Sequence, residues 1–328
     1  MTAKTLALSQ FEAALQAVES DAATPEEKTD MLVEIAMGLQ IRPKSPEQLQ
    51  QAIALYRRAL EICPADAPLL QARTTVRLGT ALQALPNEGL SALREAQACY
   101  DRALAVLKDP MLKDKVKPEE LAEIQMNLGL VLQSLSASAA ARIQDAIQCY
   151  HQSLKIFTCD AFPQEYAILH NNLAIAYLSI PHSDTHGKLR EALAVQSFEE
   201  VLKVINLIDH PTEYAMIQNN LGNALQYVSS GHALENNLRA LAAYDEALKV
   251  RNAHDTPLEY ANTLANKANV LRNMPDEAEQ GMTGNQTNLG RARELYAEAR
   301  DIFTRYSQFD SSKIVEEALR EMETSWIN

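Results

Sequence analysis

Two short segments carry the residue types from which chemistry is usually built. His182, Asp184 and His186 crowd together, and two imidazoles with a carboxylate are the donors of a divalent-metal site. Three donors strung along a polar connection lack a rigid frame, so they read as loop polarity and no metal is expected. Gly281-Met282-Thr283-Gly284 has the glycine spacing of a phosphate cradle, but neither the lysine nor the helix context that such a loop requires. His-Glu-x-x-His, Gly-x-Ser-x-Gly and Gly-Lys-Ser/Thr signatures are absent from the sequence. His210 and His254 each stand just before a proline-led segment, where they read as turn residues. Glu120, Glu165, Glu213 and Glu259 could pass for catalytic carboxylates, yet each occupies the same place near a proline and suits the positive end of a helix dipole. The expectation is a chain that is not an enzyme and carries no cofactor.

The elements that hold these residues follow from an internal period. An anchor position is filled in turn by Glu34, Arg77, Asn127, Asn172, Asn220 and Asn266, with spacing from 43 residues (Glu34 to Arg77) to 50 (Arg77 to Asn127). Nine residues before each anchor is a proline: Pro25, Pro68, Pro118, Pro163, Pro211 and Pro257. Proline suits the first helical turn, where its missing N–H has no partner to lose, so each marks the start of a helix A. Further prolines at Pro43, Pro86, Pro181 and Pro275 stop four of these helices. A helix B follows in every copy. It is marked by Ala52/Tyr56/Ala59, Ala96/Tyr100/Ala103, Ala146/Tyr150/Ser153, Ala194/Phe198/Val201, Ala240/Tyr244/Ala247 and Ala292/Tyr296/Ala299, whose four-and-three spacing shares one helical face. Two residues after each anchor is a small residue, Ala36, Gly79, Gly129, Ala174, Gly222 or Ala268, which lets helix B approach closely.

Asn220-Leu221-Gly222-Asn223-Ala224-Leu225, followed by Ala240 to Leu248, resembles the tetratricopeptide consensus. Ala52 to Pro64 resembles its second helix. The period is longer than the usual one of about 34 residues and is similar to that of kinesin light chains and of bacterial repeats associated with caspase-like CHAT domains. The resemblance implies an all-α, right-handed α-α superhelical solenoid of six helix pairs, over 25–64, 68–108, 118–158, 163–206, 211–252 and 257–306. Residues 1–24 are expected to cap its N-terminus and 310–328 its C-terminus, around an array spanning 25–309. Apolar residues at helical spacing support the caps: Leu8, Phe11, Leu15 and Val18 in one, Ile314, Val315, Leu319, Met322 and Trp326 in the other. Asp310, Ser311 or Ser312 would cap the last helix.

The resemblance also places certain helix-A positions on the inner, concave face. The fifth repeat supplies Met216, Asn219, Asn220, Asn223, Gln226 and Tyr227 there. The fourth supplies Asn171, Asn172 and Ser179, and the sixth Asn262, Asn266, Asn269, Arg272 and Asn273. Asn127 is the anchor of the third. An amide offers an acceptor and two donors, so a column of them can bracket the backbone of an extended chain. Anchor asparagines could instead bond neighbouring helices and only stabilise the stack. Asn219 and Asn223 are expected to point away from the contact between helices A and B. In the second repeat Arg73 and Arg77 occupy these positions and could hold a partner's carboxylate, unless Asp30 and Glu34 pair with them.

Composition narrows the partner. A formal charge of −13 repels nucleic acid and anionic membranes, so neither is expected. The partner is then another protein or peptide. The N-terminal residues lack the basic-then-apolar build of a signal peptide. Cys63, Cys99, Cys149 and Cys159 form no Cys-x-x-Cys pair, which suits reduced thiols in a cytoplasm. Together these features suggest a bacterial-type cytoplasmic scaffold or adaptor that binds a peptide or partner helix in its groove. The alternative is a subunit that packs on a folded enzyme through its convex face or loops; a metal enzyme is a distant third.

Overall fold

The six prolines begin helices. The computed structural model describes residues 18, 23–41, 43, 46–85, 89–180, 187–228, 232–275 and 285–324. Among them α1 (Pro25–Ile41), α3 (Pro68–Gln83), α5 (Pro118–Ala137), α7 (Pro163–Leu178), α9 (Pro211–Tyr227) and α11 (Pro257–Arg272) each open on one of those prolines. Each is followed by a partner: α2 (Pro46–Ile62), α4 (Gly89–Leu107), α6 (Ile143–Ser153), α8 (Gly187–Leu202), α10 (Ala233–Leu248) and α12 (Gln286–Arg305), after which α13 (Phe309–Thr324) packs on α12. The described residues contain no strand. A 3-10 helix, Pro110–Lys115, lies between α4 and α5, and nothing in the repeat pattern pointed to it.

The chain forms two compact units, Met1–Phe157 and Thr158–Asn328. In the first, α1/α2, α3/α4 and α5/α6 pack as pairs, α2 and α4 also meet the first helix of the next pair, and α1, α3 and α5 touch in succession. In the second, α7/α8, α9/α10 and α11/α12 pack in the same way, and α7, α9 and α11 touch in succession. Their starts share the proline but differ in capping. Thr24 and Glu27 bond reciprocally across the first turn of α1 (Thr24 N to Glu27 Oε2 2.8 Å, Glu27 N to Thr24 Oγ1 3.2 Å), which satisfies two otherwise orphan donors. α3, α5, α7, α9 and α11 use no side-chain cap and rely on proline's missing N–H.

One buried ring recurs in every pair. The helix-B aromatic, Tyr56, Tyr100, Tyr150, Phe198, Tyr244 or Tyr296, is buried completely or nearly so, and where the small residue of helix A is glycine, at Gly79, Gly129 and Gly222, the ring lies against it. A methyl group added at Gly129 would stand 2.5 Å from Tyr150 Cε1, and at Gly222 2.6 Å from Tyr244 Cε1, so these glycines are space for a ring. The tyrosine hydroxyls then meet helix A again. Tyr56 donates to Gln40 Oε1 (2.7 Å), Tyr100 to Gln83 Oε1 (3.0 Å) and Tyr150 to Gln133 Oε1 (2.6 Å). Each glutamine stands six residues after its anchor. The fourth pair has phenylalanine, and there the corresponding helix-A residues are Ile175 and Leu178. The polar handle and its partner are lost together, as a buried hydroxyl requires.

The C-terminal flank is helical, with Val315 and Met322 buried against α12. Two expectations for it change. Ile314 is 67% exposed, because it falls on the side of α13 away from α12. The helix begins at Phe309, ahead of the proposed caps, and Ser312 is instead buried and bonded to Thr304 Oγ1 at 3.0 Å. Of the N-terminal flank only Val18, which is buried, lies among the described residues. Cys99 and Cys149 are buried and all four cysteines are free thiols.

Candidate functional site

In the second unit the adjacent-asparagine steps of α7 and α9 place one amide outward and one between helices. Asn171 and Asn219 are buried, while Asn172, Asn220 and Asn266 are half-buried. They join in a one-way chain. Asn266 Nδ2 donates to Asn219 Oδ1 (3.4 Å) and Asn219 Nδ2 to Asn220 Oδ1 (3.3 Å). Asn220 Nδ2 donates to Asn171 Oδ1, and Asn171 Nδ2 to Asn172 Oδ1 (3.3 Å). Three of these links are at the long, weak end of the hydrogen-bond range. Their common direction lets each polarise the next, and the chain ties α11 to α9 and α9 to α7.

The outer amides are each held at one end. Asn223 Oδ1 accepts from Tyr244 Oη at 2.7 Å, and Gln226 Nε2 donates to the same hydroxyl. Asn269 Oδ1 accepts from Tyr296 Oη, and Asn273 Nδ2 donates to the Asn269 carbonyl at 2.9 Å. Among the described residues nothing engages the other ends: Nδ2 of Asn172, Asn223 and Asn269, Oδ1 of Asn266 and Asn273, and Oε1 of Gln226. Asn262 and Asn127 make no side-chain hydrogen bond there, and Asn262 is exposed. Asn223 thus departs from expectation, while Asn219 does point away from helix B without standing open in a groove. Asn219 is buried between A helices and Asn223 bonds helix B, because the tyrosine hydroxyl needs a partner inside the pair.

The arginines divide. Arg73 is exposed and pairs with Glu120 of α5, Nε to Oε1 at 2.8 Å and Nη2 to Oε2 at 3.0 Å, and also reaches the Lys115 carbonyl. That contact raises its already high pKa. Asp30 and Glu34 pair with neither arginine among the described residues. Arg77 is exposed and forms no ion pair there; its charge favours ionisation of the Tyr56 hydroxyl, which burial nonetheless pushes up to about 12. Arg272 reaches Glu321 of α13 at 3.1 Å. Ser179 is exposed, and its hydroxyl bonds the Ile175 carbonyl.

The remaining sequence candidates contribute little. His182, Asp184, His186, Gly281 to Gly284 and the Tyr227 side chain lie outside the described residues. Among those described, no three histidine, cysteine or acidic side chains are placed to hold a metal, and no helix is long and apolar enough to cross a membrane. His210 and His254 sit in turns closed by Asn206 and Asn252, whose Oδ1 atoms accept from Asp209 N (2.9 Å) and Asp255 N (2.8 Å).

No protein-family profile and no curated protein matches the chain. Among solved structures it is similar to the apo form of RapI, at 12% identity over 97% of this chain and 98% of that one, with a TM-score of 0.47. A tetratricopeptide repeat protein from Parabacteroides merdae matches at 13% identity over 90% and 99%, with a TM-score of 0.42. A Rap protein complexed with competence and sporulation factor matches at 12% over 99% and 88%, with a TM-score of 0.40. At such identities side chains do not correspond, so no residue role is carried over from them.

Proposed function

We propose that the chain is a non-catalytic interaction protein that holds an extended segment of another protein across α7, α9 and α11. The observation that carries this is the half-satisfied state of the outer amides. Tyr244, Tyr296 and the buried asparagines fix their orientation, so their open ends stand ready before a partner arrives. Groups ordered in advance cost less entropy on binding. The surface offers both open donors, on Asn172, Asn223 and Asn269, and open acceptors, on Gln226, Asn266 and Asn273, and an extended backbone needs both for its N–H and C=O groups. Arg77, an exposed cation without an ion partner among the described residues, is the proposed contact for an acidic side chain in the first unit.

The test is affinity purification of partners with the full chain from its source organism, comparing wild type with Asn262→Ala/Asn273→Ala. Asn262 has no internal bond and Asn273 bonds only its own helix, so the fold should be unchanged. Loss of a co-purifying protein together with an unchanged melting temperature supports the reading. Undiminished recovery of every partner contradicts it.

A further inference from the structure

On its helix-B side the first unit departs from a cross-helix pairing that the chain makes at two other junctions. At two junctions between successive pairs the residue just after one helix-B aromatic bonds the residue five before the next. Between α2 and α4 these are Arg57 and Glu95, joined by Nη2 contacts of 2.8 and 2.9 Å to both carboxylate oxygens. Between α8 and α10 they are Glu199 and Arg239, again bonded. Between α4 and α6 the same two positions hold Asp101 and Asp145. Two carboxylates stand where those two junctions hold a carboxylate and a guanidinium.

The space between them is open. A cleft of about 790 Å³ runs between α4, α5 and α6, against about 260 Å³ at the corresponding place between α8, α9 and α10. Its floor is apolar, with Leu104, Leu128 and Leu132, and Asp101, Asp145 and Lys108 give it charge. Arg142 engages Oδ1 of Asp145 from the same helix start at 2.9 Å, with its own side chain 76% exposed. The Asp145 Oδ2 atom has no partner among the described residues. Burial holds the Asp101 carboxyl above its ordinary range, while its bond with Gln97 opposes that. The Cys149 thiol, in the cleft wall, reports the local field. Burial pushes it up to about 11, Asp101 and Asp145 push the same way, and Lys108 opposes them as the smallest contribution.

We propose that this cleft receives an arginine side chain of a partner protein, which seats its guanidinium between Asp101 and Asp145 and its methylenes on the leucine floor. Arginine is what the equivalent position accommodates in two other places in the chain. Its planar fork can address two carboxylates at once, and its stem tolerates an apolar bed. The site is separate from the amide surface, so a partner could use either one alone.

The experiment measures fluorescence anisotropy of the full chain with a short labelled alanine- and glutamine-rich peptide bearing one arginine, against the same peptide bearing citrulline. Citrulline keeps the shape and removes the charge. Wild type should prefer arginine by about fivefold or more, in the range of a charge-assisted pair. Asp145→Arg, which rebuilds the cross-helix pair seen at Glu199 and Arg239, should abolish that preference with the helical signal intact, as should Asp101→Asn/Asp145→Asn. A net charge of −13 attracts any cation weakly, so Asp160→Asn/Glu235→Gln serves as the control and should keep the preference. No preference in wild type, or one that survives Asp145→Arg, overturns the proposal.

Discussion

Glycine-to-alanine substitutions should change stability with opposite signs at different places in this one chain. In a helix interior alanine gains about 1 kcal/mol over glycine. Gly38 in α1 and Gly290 in α12 have nothing within 4 Å of the added methyl, so Gly38→Ala and Gly290→Ala should gain most of that. At Gly129 the methyl would stand 2.5, 2.8 and 3.1 Å from three atoms of the Tyr150 ring. That ring is fully buried and its hydroxyl is tied to Gln133, so it cannot turn aside without losing the bond. Overpacking of this kind costs about 1–3 kcal/mol, and a contact this short belongs at the upper end. After the propensity gain, Gly129→Ala should lose about 1–2 kcal/mol, and Gly222→Ala about the same. At Gly79 the nearest atom is 3.1 Å away, and the two effects should nearly cancel. For a unit of this size one kcal/mol moves the melting temperature by about 2–4 °C. Thermal denaturation followed by circular dichroism should therefore order the variants Gly38→Ala above wild type, Gly79→Ala near it, and Gly129→Ala and Gly222→Ala several degrees below. If Gly129→Ala melts as high as Gly38→Ala, the ring does not occupy the space described.

The hydroxyl of Phe198→Tyr would be buried facing Ile175 and Leu178, so a loss of about 1–3 kcal/mol is expected in the melt, with part of it recovered by adding Leu178→Gln. Asn219→Ala leaves Asn266 Nδ2 and Asn220 Oδ1 unpaired and should cost about 1–2 kcal/mol, whereas Asn262→Ala at an exposed site should stay within about 0.5; urea titration separates them. Tyr56 and Tyr100 hold their protons to about pH 12 in the fold, against an ordinary value of 10.0. The folded chain therefore binds more protons than the unfolded one in that window. Stability is intact below about pH 10 and falls as pH rises toward 12. Denaturant midpoints measured across that range check it, and an unchanged midpoint at pH 11 would show the hydroxyls to be solvated.

Helix starts were legible because proline acts locally: Pro25, Pro68, Pro118, Pro163, Pro211 and Pro257 constrain their own backbone whatever surrounds them. The ring against the small residue was legible too, since Gly129 and Tyr150 or Gly222 and Tyr244 obey a fixed offset within one pair. Side-chain pairing between helices was not. Asn219 and Asn220 are neighbours in sequence, and only the rotation of α9 decides that the first is buried toward Asn266 and the second half-exposed beside Asn171. Asn223 and Gln226 looked like free surface amides because their partner, the Tyr244 hydroxyl, belongs to the next helix. A finer signal was present in the comparison of pairs. Where Phe198 replaces tyrosine, Leu178 stands in the place that Gln40, Gln83, Gln133 and Gln226 fill elsewhere, which ties that amide position to the ring rather than to a ligand alone.

The partner is expected against the amides of α11 and α9 rather than against the helix-B side of the second unit. Site-specific photocrosslinking tests that placement directly, with a benzophenone side chain at Asn262 in one variant and at Leu238, an exposed residue of α10, in another. A discrete crosslinked partner is expected from Asn262 and none from Leu238 in the same extract. A partner captured from Leu238 while Asn262 yields nothing would contradict it.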